Sequence, residues 1–144
     1  MGAVDAITHQ FIAVCNDTYI NACSVCELLQ KIRQTVVNTE IPITFVMDNA
    51  RYQRCAIVME LAKKINVELL FLPSYSPNLN VIERLWKWVK KDCLNCKYYE
   101  HFDDFKRAIN QSLQKVSQNE RKNEMTKLLA LKFQLFNSSI YGRA

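Results

Sequence analysis

Asp48 and Glu83 are the acidic residues whose surroundings suggest chemistry rather than solvation. Asp48 ends the apolar run 43–47, ITFVM, and Glu83 falls in the first turn of a helix that follows the next apolar run, 67–72, VELLFL. Two carboxylates brought to one place repel each other, and one takes up a proton unless a cation neutralises them. A shared cation is the usual reason for such a pairing. The same residues also fit a plainer reading. Asp48-Asn49 suits a turn after a strand, and Asn80 followed three residues later by Glu83 resembles a capping box with asparagine in place of serine. Pattern alone leaves both readings open.

The elements that would position these residues can be read from periodicity. The runs 3–7, AVDAI, and 11–15, FIAVC, flank Thr8-His9-Gln10 and predict a hairpin. Val25, Leu28, Leu29, Ile32 and Val36 recur at helical spacing within 22–37, giving one apolar face. The run 43–47 then reads as a strand covered on both faces. A helix with Ile57, Val58, Leu61 and Ile65 on one side separates it from the strand at 67–72. Strand, helix, strand over this length is a parallel βαβ unit, which delivers the C-terminal ends of both strands to one edge. Asp48 and the loop leading to Glu83 leave from that edge. Helices of about 80–97, 103–117 and 121–136 complete the chain, with Asp103 a suitable N-cap for the second. The expected architecture is a single α/β domain over 1–144.

Composition agrees with one globular unit. Apolar residues make up 49% of the chain and charged residues 23%, a balance that supports a buried core. Glycine occurs only at 2 and 142, so no linker divides it. No stretch approaches the roughly 18 apolar residues of a membrane helix, and no basic segment with an apolar run opens the chain. The expectation is a cytoplasmic protein with no membrane partner. Six cysteines are even in number, but reduced thiols are expected in a domain with an adequate core. The pairs Cys23/Cys26 and Cys93/Cys96 have the ligand count of a zinc site but lack the glycine-rich knuckles of one. The net charge of +5 is a mild excess that weakly favours an acidic partner.

The stretches VMDNARYQRC and LLFLPSYSPNLNVIERLWKWVK resemble the DDE transposases of the mariner superfamily, especially the bacterial insertion-sequence branch. Residues 49 to 82, 34 in number, separate Asp48 from Glu83, and that interval matches one branch of the superfamily. The resemblance runs from Gly2 to about Phe136. It implies an RNase H-like fold, truncated at the N-terminus and lacking the first core strand, in which carboxylates hold two divalent ions, Mg2+ or Mn2+, for DNA cleavage and strand transfer, with this fragment expected to be inactive or weakly active alone. Asp48 and Glu83 carry over as the second and third acids. Gln53 stands where family members often have histidine, and Val81 where they often have proline, departures that bear on loop shape and DNA contact.

The family's first aspartate lies upstream of the glycine matching Gly2, so it is not expected in this chain. Asp5 is too close to Asp48 to replace it and reads as a strand residue near a turn. A missing central strand would leave backbone groups unpaired. Two remedies are expected: the hairpin pairs with 43–47, or a second copy supplies a strand in a homodimer.

The resemblance implies DNA as partner, both transposon ends and target. On the helix after Glu83, Arg84, Lys87 and Lys91 share a side with Trp88, so the cations are candidates for phosphates and Trp88 for stacking on a base; a solvated face is the competing reading. Tyr75 lies in the loop between the acids and is a candidate to orient it or touch DNA. His9 and His101 fall in predicted turns without nucleophile partners, and Tyr98, Tyr99 and Phe102 are expected to pack the last helices. The competing function is a non-catalytic module that binds DNA or its own kind.

Overall fold

The computed structural model describes residues 1–95, 97–118 and 122–132. The chain starts with a short antiparallel hairpin, β1 (Gly2–Val4) and β2 (Phe11–Ala13), with Ala3 opposite Ile12. The strands are shorter than expected because the Asp5 carboxylate accepts the amides of Ile7 and Thr8, both at 2.7 Å, which turns the chain at once. Gly2 is needed here: a Cβ would lie 2.7 Å from the ring of Phe11 across the ladder.

Helix α1 (Ala22–Thr35) begins with a reciprocal cap, in which Asn21 Oδ1 accepts the Ser24 amide and Ser24 Oγ accepts the Asn21 amide. Val25, Leu28 and Leu29 are wholly buried. They serve two clusters. Val25 and Leu29 meet Met47, Val58, Ala62 and Val67, while Leu28 and Ile32 meet Ala3 and Val14. One helix thus covers both the hairpin and the parallel pair.

That pair is β3 (Ile43–Met47) and β4 (Val67–Phe71), joined through α2 (Ala56–Lys64) and aligned from Ile43 opposite Val67 to Met47 opposite Phe71. The βαβ unit is as expected, but its burial is not. Inward residues alternate with exposed Thr44, Val46, Glu68 and Leu70, so α1 and α2 cover one face and, among the described residues, the other is open. An apolar run could not reveal this, because the alternation lies in which face a neighbour covers rather than in residue type.

The two strand pairs form separate two-stranded sheets, in the orders β1-β2 and β3-β4. The expected pairing of the hairpin with 43–47 is therefore incorrect. Ile43 donates to Asn66 and Met47 accepts from Leu72, so in a parallel ladder the intervening Thr44 and Val46 peptides point away from β4. By the same alternation Gly2 and Val4 point away from β2. Each sheet retains an unpaired edge among the described residues.

The helical layer comprises α3 (Val81–Cys93), α4 (Phe102–Ser117) and α5 (Lys122–Leu128). Phe11, Leu85, Trp88, Val89, Leu113, Val116, Met125 and Leu129 form its core, which holds the hairpin from the side opposite α1. Trp86 meets Phe11 edge to face, with ring centroids 5.8 Å apart. Asp103 is not the N-cap of α4. His101 occupies that position, and Asp103 and Asp104 lie in the first turn, where they favour the helix dipole. The last helix is shorter than expected: α5 stops at Leu128, and 133–136 lie outside the described residues.

Candidate metal and nucleic-acid site

Met47 ends β3 in a buried position, and the next residue, Asp48, is half-buried where the strand emerges. Asn80 is the N-cap of α3, and its Oδ1 accepts the Ile82 amide at 3.3 Å. That contact fixes which end of the amide carries the oxygen. The other end, Nδ2, donates to Asp48 Oδ1 at 2.9 Å. One side chain therefore ties the carboxylate at the end of β3 to the first turn of α3, the turn that holds Glu83.

Glu83 is half-buried, and its amide bonds back to the Asn80 carbonyl at 3.1 Å. The capping-box reading is half right. Asn80 caps the helix, but among the described residues no hydrogen bond engages the Glu83 carboxylate. A half-buried carboxylate at a helix N-terminus, left out of the cap, is free to take another partner. The hard oxygens of Asp48 and Glu83 suit a divalent ion such as Mg2+ or Mn2+. Among the described residues no cluster of three or more acidic, histidine or cysteine ligands forms.

Beside Asp48 opens a shallow cleft of about 320 Å³, lined by Asp48, Asn49, Ala50, Pro73, Ser74, Tyr75 and Ser76. Glu83 does not line it. Gln53 is buried and accepts the Ala50 amide at 3.2 Å, so this residue, which stands where histidine is common in the family, braces the loop after Asp48. Tyr75 is fully exposed and holds φ at 59°, in the left-handed region that a bulky side chain rarely adopts. Strain of this kind collects where a loop presents a side chain for use.

The four residues expected to share a DNA-facing side of α3 divide. Lys87 and Lys91 are exposed, with no ion pair among the described residues. Arg84 is half-buried and donates to the backbone carbonyls of Ala130 at 2.7 Å and Lys132 at 2.9 Å, anchoring the chain that follows α5. Trp88 is 8% exposed and belongs to the helical core, with its indole N–H donating to Glu124 Oε1 at 2.7 Å. Its expected stacking on a base is incorrect in this conformation, because the ring faces are packed. The helical wheel placed Trp88 beside the lysines, but α5 covers part of that side.

Sequence reasoning missed Arg54, which lies over the Phe71 ring at 5.0 Å at the end of β4. Its place inside the stretch VMDNARYQRC was the available signal. Asp5 falls just past β1 rather than within the expected strand, at the start of the turn, and its carboxyl is held below the usual value by the Thr8 amide first, with the Ile7 amide adding to the effect. The cysteine pairs sit in different clusters. Cys26 packs beside Cys55 near the β3–β4 pair, whereas Cys93 is buried in the helical core and donates to the Val89 carbonyl; Cys96 lies outside the described residues. Burial pushes the Cys26 and Cys93 thiols up, against thiolate chemistry.

With this geometry, a family model described as DDE superfamily endonuclease matches residues 1–106, and the chain belongs to that family. Its substrate class is DNA. Two solved structures share the fold. One is the catalytic domain of Mos1 transposase with raltegravir and manganese, at TM-score 0.55 and 16% identity over 88% of this chain and 70% of that one. The other is the catalytic domain of the Mos1 mariner transposase, at TM-score 0.54 and 15% identity over 86% and 69%. The fold is thereby RNase H-like, as the resemblance implied. Curated proteins give no match. Among the described residues no helix is long and apolar enough to cross a membrane.

Proposed function

We propose that this chain carries two of the metal-binding carboxylates of a DNA transposase, Asp48 and Glu83, and works in divalent-metal-dependent cleavage and strand transfer at transposon ends and target. The observation that carries the reading is the placement of Asp48 and the first turn of α3 at one sheet edge, joined by Asn80. Mg2+ or Mn2+, when bound, supplies activation of a water or 3′-hydroxyl and charge neutralisation at the phosphate. The chain's own residues bind and orient. Asp48 and Glu83 provide the hard oxygens, the exposed Lys87 and Lys91 attract backbone phosphates, and Tyr75 presents a ring at the cleft mouth. Arg84 acts one step back, holding the segment after α5 beside these groups. The remaining carboxylate comes from outside the described residues, and a second copy adding a strand to an unpaired sheet edge, as a homodimer, fits the two open ladders.

A second reading follows from the lack of a third ligand among the described residues: a module that binds DNA or itself without cutting. Supercoiled plasmid incubated with the protein in Mg2+ or Mn2+ separates the two. Nicking by the wild type that Asp48→Asn abolishes supports the enzyme, and equal background from both supports the module.

A further inference from the structure

We infer that Asn80 is a positioning residue that sets the orientation of the Asp48 carboxylate, and that its capping of α3 is the means by which it does so. The inference rests on the reading of Asp48 and Glu83 as a metal pair and names a residue that acts through them.

The geometry is unusual for a cap. A capping asparagine needs only its oxygen, and its amide nitrogen is ordinarily left to water. Here the nitrogen is spent on Asp48 Oδ1, 32 residues away in sequence, while the oxygen holds the Ile82 amide. The two bonds constrain each other. Because the oxygen is fixed by the helix, the nitrogen has one direction left, and the carboxylate that accepts from it loses rotation about its terminal bond. Among the described residues nothing else bonds the Asp48 carboxylate, so Oδ2 is left open while Oδ1 is held. A ligand pre-set in this way does not have to be ordered when an ion arrives. Partners that orient metal ligands typically govern affinity by about 10–100-fold.

The choice of residue follows from the double task. Serine and aspartate cap as well as asparagine, and threonine somewhat less well, but none offers an N–H at the reach of an amide. Glutamine has the amide but is too long to cap. Asparagine alone combines an acceptor for the helix and a donor for the carboxylate at this length.

Asn80→Ser tests the inference because it keeps the cap and removes the donor. Mn2+ binding to the wild type, Asp48→Asn, Asn80→Ser and Asn80→Ala is measured by electron paramagnetic resonance of the free ion, and each variant is melted without metal. The expected result has three parts. Asp48→Asn abolishes a site present in the wild type, Asn80→Ser weakens that site about 10–100-fold with the melting temperature within a degree or two of wild type, and Asn80→Ala loses both affinity and stability. Wild-type affinity in Asn80→Ser overturns the positioning role while leaving the metal pair intact. Identical Mn2+ binding by the wild type and Asp48→Asn overturns the metal pair itself, and the positioning role with it.

Discussion

Trp88→Phe separates a core role for this ring from a role in stacking on DNA. The indole retains 8% of its exposure and donates to Glu124 Oε1 at 2.7 Å. Phenylalanine removes that hydrogen bond, but Glu124 is exposed and water can replace the donor, so the loss is about 1 kcal/mol rather than the larger figure for a buried charged acceptor. Deleting the second ring gives up apolar burial and leaves a small void between α3 and α5, a further ~1–2 kcal/mol. A loss of about 2–3 kcal/mol in a chain of this length lowers the melting temperature by roughly 5–10 °C, readable by far-ultraviolet circular dichroism. Affinity for a fluorescent single-stranded oligonucleotide, measured well below the transition, should stay within about twofold of wild type, because base stacking on an aromatic is worth ~1–3 kcal/mol only when the ring faces are available. An unchanged melting temperature with affinity down about tenfold or more would refute the core assignment.

Three other outcomes are expected. Lys87→Gln and Lys91→Gln should each weaken DNA binding alike for all sequences and reduce the slope of log affinity against log salt by about 1, as measured by anisotropy at several salt concentrations. Tyr75→Gly should release the left-handed strain and raise stability by about 0.5–1 kcal/mol in a urea titration while lowering affinity for DNA, since the exposed ring has no packing to lose. Asp5→Ala should destabilise the hairpin near neutral pH. The folded carboxyl sits below its ordinary value of 3.8, so the stabilisation is full above that pH and is lost as the pH falls through the lowered folded value; wild type and variant should converge in acid melts.

Much of the architecture was legible in the chain because it is local. The helical spacing of Val25, Leu28, Leu29 and Ile32 fixes a face for α1 whatever it packs against, and the run to Asp48 and the run to Pro73 mark strands by residue type. The cap at Asn80 follows from a side chain that bonds its own backbone within a few residues, whereas the turn at Asp5, which works the same way, was read as strand. The motif around Asp48 and Glu83 named the family.

What the tertiary structure decided are relations between segments distant in the chain. Trp88 and the lysines occupy one stripe of α3, and only the position of α5 shows that the indole is covered while Lys87 and Lys91 stay in water. Val46 and Leu70 belong to apolar runs, yet their exposure depends on which sheet face the helices cover. The separation of the strands into two sheets is a matter of long-range pairing, for which a short strand carries no address of its own. The bond from Asn80 to Asp48 joins positions 32 apart, and nothing in either residue's neighbourhood announces it. Sequence determines local geometry because its forces act over a few residues; the assignment of exposed, buried and bonded partners follows from packing that only the assembled chain supplies.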